Sequence, residues 1–77
     1  MSESSILERI ATLVSEEHRI RTHGVRTLDE MQQLRNVSEQ LDQCWDLLRQ
    51  RRAKVEFGAD PNSAQVRDVG TVEGYKG

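Results

Sequence analysis

The sequence predicts an all-α protein. It reads as an antiparallel helical hairpin, short first helix and long second, followed by an extended C-terminal tail, with two such hairpins joining into a four-helix bundle. Three observations carry this. Apolar residues recur at helical spacing through two segments, each segment opens on a capping signature, and residues 27–57 hold neither proline nor glycine. The hairpin takes residues 1–57 and the tail 58–77, with a short helical turn near 60–67.

The first segment opens at Ser5-Ile6-Leu7-Glu8, a capping box in which the hydroxyl takes the first free backbone donors and the glutamate follows three residues later. Ile6, Ile10, Leu13 and Ile20 form the apolar stripe behind it, flanked by Leu7, Ala11 and Val14. The helix is expected from Ser5 to Arg21. It ends where Gly24 can take a positive φ without a Cβ clash.

Thr27-Leu28-Asp29-Glu30 is a second capping box, with two acids in the first turn where the helix dipole favours them. Leu34, Leu41, Leu48 and Val55 are seven apart, in an a-type register, and Val37 and Cys44 occupy d until Arg51 interrupts the series. This is a coiled-coil pattern of about three heptads on a helix about 45 Å long. Gly58 ends it, and Asp60-Pro61 reads either as a turn or as the cap and first residue of a short helix.

The tail changes character. It holds four of the five glycines and the only proline, and too few apolar residues for a core of its own. Val66, Val69, Val72 and Tyr75 recur every third residue, so an extended or threefold strand could lay them along a groove, but a mobile tail is the expectation.

Composition excludes several classes. Acids outnumber bases 13 to 11, against the basic excess of a general nucleic-acid binder. No apolar run exceeds two residues, so neither a membrane span nor a signal-peptide core is expected. One cysteine permits neither an intramolecular disulfide nor an all-cysteine zinc site, and a reducing, cytoplasmic setting is the expectation.

A short connection near residues 22–27 packs the helices antiparallel. With the fold centred on Gly24–Val25, Val14 falls beside Leu34, Ile10 beside Val37 and Leu7 beside Leu41. The first helix then ends opposite Cys44, leaving Trp45, Leu47, Leu48, Val55 and Phe57 without an intrachain partner. A second copy is the expected cover, as a homodimer; a different protein is the alternative. The expected interface residues are Leu41, Cys44, Trp45, Leu48, Arg49, Val55 and Phe57.

Trp45 and Arg49 are four apart on one helical face, where guanidinium can stack on indole, and Asp46 and Arg49 are spaced to pair. The patch reads either as a docking site or as an anchor in the dimer seam. Arg49, Arg51, Arg52 and Lys54 form a basic run that could contact nucleic acid or the ribosome, the alternative function. The macrodipole favours the same run at any helix end, and no aromatic residues are interleaved for base stacking. Glu17 and His18 are adjacent, and His18 and His23 are five apart, so neither pair converges as metal ligands. A hydrogen-bonded polar layer near the turn is the expectation. Cys44 reads as a small buried hydrophobe with no histidine opposite to activate it. No catalytic residue, metal or cofactor is expected.

The run from Leu41 to Ala53 with its Asp-Gln-Cys-Trp-Asp core resembles a family of short actinobacterial proteins known as a domain of unknown function. Ser5-Ile6-Leu7, Leu13 to Arg19, Gly58 to Pro61 and Val72 to Tyr75 are similar to that family as well. The resemblance covers nearly the whole chain, most loosely from Thr22 to Val37. It implies a bacterial, mycobacterial-type cytosolic protein and brings no activity with it.

Overall fold

The computed structural model describes residues 2–73. Helix α1 runs Glu3–His23 and α2 runs Leu28–Glu56; a single 3-10 turn covers Pro61–Ser63 and a short helix α3 covers Val69–Glu73. The chain is all-helical among the described residues, and its two long helices pack against each other. Tyr75, the last member of the expected valine row, lies outside the described residues.

Helix α1 starts a turn earlier than Ser5. Ser2 is the cap, and its Oγ accepts the Ser5 backbone N–H at 3.1 Å. The hydroxyl at the head of the expected box thus serves inside the first turn, bonding the Ser2 carbonyl at 3.0 Å. The exit is as expected: Gly24 has φ +94° and returns its N–H to the Ile20 carbonyl. The second box forms in full, with Thr27 Oγ1 accepting from the Glu30 N–H and Glu30 Oε1 accepting from the Thr27 and Arg26 N–H groups, each at 3.1 Å. Such a cap is worth about 1 kcal/mol.

The core is the seam between the two long helices. Ile6, Ile10, Leu13 and Ile20 bury against Val37, Leu41, Leu47 and Leu48, with Leu34, Cys44 and Ala64 packed at its margin. Each such side chain contributes roughly 1.5–3 kcal/mol when fully removed from water.

The register differs from the expected one, and the difference matters for everything downstream. Arg52 donates to Glu3 at 3.0 Å and Ser38 to Glu17 at 3.3 Å, so α1 runs alongside α2 as far as Arg52 instead of ending opposite Cys44. The pairing is centred at the start of α2 rather than on Gly24–Val25, and α1 also gains residues at both ends. Leu47 and Leu48, expected to be stranded, are buried in the chain's own core. On the other edge of the seam Arg9 reaches Gln40 at 2.8 Å.

The segment after α2 folds back and packs on that helix through the 3-10 turn and α3. The expected mobile tail is not what residues 59–73 form. Asp60 caps the 3-10 turn by accepting the Asn62 N–H at 2.9 Å, with Pro61 in its first position. In α3, Asp68 accepts the Thr71 N–H at 2.8 Å and Val72 is buried.

Candidate protein-interaction face

Glu3 and Glu17 are fourteen residues apart on α1, as are Ser38 and Arg52 on α2, and each end of one interval bonds an end of the other. Trp45 is the midpoint of the α2 interval and Ile10 the midpoint on α1. Trp45 therefore lies level with Ile10 along the hairpin, between two polar clasps. It remains 43% exposed and is not part of the buried core.

Beside Trp45 opens a groove of about 660 Å³. Asp42, Trp45, Arg49 and Ala53, successive positions of one α2 face, form its floor, while Arg67 and Val72 come from the returning segment. Arg49 lies one turn from Trp45, as expected. Asp46 does not wait for it: Arg67 Nε donates to Asp46 Oδ2 at 2.9 Å, Arg67 Nη2 to Oδ1, and Gln50 Nε2 to Oδ2 at 2.9 Å. Asp46 is only 2% exposed, the one buried charged side chain among the described residues. The Arg67 guanidinium holds its carboxyl below the usual carboxylate range, against the upward push of burial.

Three further contacts from α2 side chains grip the main chain of the returning segment. Gln43 donates to the Arg67 carbonyl at 3.2 Å, Gln50 to the Gln65 carbonyl at 2.8 Å and Arg51 to the Pro61 carbonyl at 3.2 Å. The segment is thus a strap, held through both its backbone and the side chains of Asn62 and Arg67. Sequence reasoning passed over Gln43, Gln50 and Arg67. The available signal was the polar spacing Gln43, Asp46, Gln50 along a face that the apolar register leaves unused, together with a tail valine row needing somewhere to lie.

The expected interface residues separate into two groups. Leu41 and Leu48 are buried inside the chain and Cys44 is half-buried against the core, so these three are committed to the hairpin. Trp45, Arg49, Val55 and Phe57 face outward, Val55 63% and Phe57 82% exposed. The basic run divides as well. Arg51 bonds Pro61 and the Asn62 side chain, Arg52 pairs with Glu3, Lys54 is half-buried and Arg49 is exposed.

Glu17 accepts from Ser38 and pairs with Arg21 at 3.7 Å, so it is part of a polar layer, but His18 is exposed and does not join it. His23 lies 3.7 Å from Glu30. Among the described residues no three His, Cys, Asp or Glu side chains gather as metal ligands. Burial pushes the Cys44 thiol above its ordinary value, the opposite of nucleophile activation. No helix among the described residues is long and apolar enough to cross a membrane.

Residues 2–77 are matched by the family described as "Protein of unknown function (DUF2630)". The chain belongs to that family. Relatives of nearly the same length accompany it. The chain is 48% identical over 80 residues to "Uncharacterized protein Rv0898c" of Mycobacterium tuberculosis (strain ATCC 25618 / H37Rv), covering 99% of this chain and 92% of the relative. The same figures hold for "Uncharacterized protein Mb0922c" of Mycobacterium bovis. No solved structure gives a significant match.

Proposed function

We propose that this DUF2630 chain is a small, non-enzymatic helical interaction module that acts in the cytoplasm by pairing with a second copy of itself. One observation carries the reading. After α1 and the strap have each taken a face of α2, the remaining face and the end of that helix still present Trp45, Val55 and Phe57 to solvent. Large aromatic and aliphatic groups beside an arginine have the composition of a binding hot spot. The length mismatch that first suggested a dimer is largely closed by the register of the two helices, so the case rests on these exposed residues alone.

The experiment is the mass of the native protein in solution by light scattering across the micromolar range, compared with Trp45→Ala and Phe57→Ser. A dimer that dissociates in either variant, with helicity retained, supports the reading; a monomer throughout the range overturns it. Nucleic-acid contact draws less support, because Arg51 and Arg52 are engaged within the chain.

A further inference from the structure

Residues 59–73 are attached to α2 by polar contacts as well as by the packing of Ala64 and Val72. Three α2 side chains bind carbonyl oxygens of the segment, at Pro61, Gln65 and Arg67, and the Asp46–Arg67 ion pair and the Arg51–Asn62 bond add side-chain contacts. Main-chain recognition of an extended segment works equally well whether that segment comes from the same chain or another. The helical turns of the strap both pack on α2, so it can leave without separating α2 from α1.

The link between strap and helix is short. Only residues 57–60 separate the end of α2 from the 3-10 turn, and the reversal depends on Gly58 at φ +77°. The Gly58 and Ala59 N–H groups turn back onto the Val55 and Lys54 carbonyls at 3.2 and 2.7 Å. Val55 and Phe57, two strongly exposed apolar side chains, flank this hinge. A short hinge is one from which segment exchange can proceed, and uncovered apolar groups border this one. Every strap contact is remade in the exchanged form, while opening the hinge brings two α2 ends together and gives Val55 and Phe57 cover.

We propose that two copies of this chain exchange their straps, each laying its residues 59–73 on the Gln43–Asp46–Gln50–Arg51 face of the other's α2. This rests on the self-association reading and specifies how it is achieved. In the exchanged dimer the Trp45 groove is composite, with a floor from one copy and the Arg67 and Val72 wall from the other.

Cys44 and Val66 line one cavity of about 200 Å³ at the strap–helix contact, which supplies the test. Full-length Val66→Cys protein is made with and without 15N labelling, the two are mixed and equilibrated, and a short bis-maleimide joins the thiols before mass spectrometry. Exchange predicts linked peptides that join Cys44 to the thiol introduced at position 66 with one heavy and one light half, in the fraction that light scattering assigns to dimer. A dimer whose linked peptides are only all-heavy or all-light overturns the exchange and leaves self-association standing. A monomer at all concentrations overturns both.

Gly58→Ala gives a second readout. A Cβ at φ +77° strains the closed hinge, so the dimer dissociation constant should fall on the order of tenfold. An unchanged or raised constant overturns the role of the hinge in exchange.

Discussion

Asp46 and Arg67, twenty-one residues apart in sequence, form an ion pair that joins the C-terminal strap to the middle of α2. A carboxylate taken this far out of water requires a partner, and no cation on its own helix supplies it so directly. The pair also positions one wall of the Trp45 groove.

The two halves of this pair are not equivalent. Arg67→Ala leaves the buried Asp46 carboxylate with the neutral Gln50 amide as donor and should destabilise the protein by about 2–3 kcal/mol, less than breaking a fully buried pair because a third of Arg67 stays in solvent. Asp46→Ala removes the buried charge itself, and a third of the Arg67 side chain already lies in solvent, so its loss should be smaller. Urea unfolding of both variants and of the double variant checks the order; equal losses would refute it. Amide exchange should show the strap of Arg67→Ala unprotected while α1 and α2 keep their protection.

The same pair sets an acid limit. The folded-state pKa of Asp46 lies below its ordinary value near 3.8, so its stabilisation is complete above that pH and is lost as pH falls through the lower, folded value. The urea midpoint should therefore be flat from about pH 7 to 5 and drop below about pH 4. Asp46→Asn should show a shallower drop, and an identical profile would assign the acid sensitivity elsewhere.

Trp45 and Leu48 lie three residues apart and should behave oppositely. Leu48, 2% exposed, fills the seam, and Leu48→Ala should cost about 2–5 kcal/mol. Trp45→Ala should cost less than that in a dilute monomer, since 43% of the residue is already in water. Thermal unfolding at low micromolar concentration separates them, at about 4–8 °C per kcal/mol for a chain of this size.

Cys44 should be a slow thiol. Its pKa is raised by burial, so alkylation by iodoacetamide at about pH 8 should be slower than that of a free cysteine peptide and should accelerate on unfolding. A rate matching the peptide would mean that the α2 seam opens readily at Cys44.

Much of the fold was legible locally. The Thr27 box, the Gly24 exit, the apolar stripe from Ile6 to Ile20 and the end of α2 at Gly58 all depend on residues within a turn or two of one another, and each formed where the sequence placed it. The start of α1 shifted because Ser2 and Ser5 are both competent caps three residues apart, and only the built turn shows which hydroxyl takes the free N–H. The register was less legible still. Moving the centre of the pairing from Gly24–Val25 to the start of α2 changes every pairing along an antiparallel seam, placing Arg52 opposite Glu3 and returning Leu47 and Leu48 to the core.

By itself, then, the sequence determined two capped amphipathic helices, their antiparallel return and the signature residues around Trp45, because spacing and capping are properties of neighbouring residues. Tertiary structure alone decided which helix levels meet, that the glycine-rich tail lies on α2, and that Asp46 belongs to Arg67 and not to Arg49. Those outcomes come from competition for one buried carboxylate and three carbonyl oxygens among side chains distant in sequence, and no local pattern ranks the competitors.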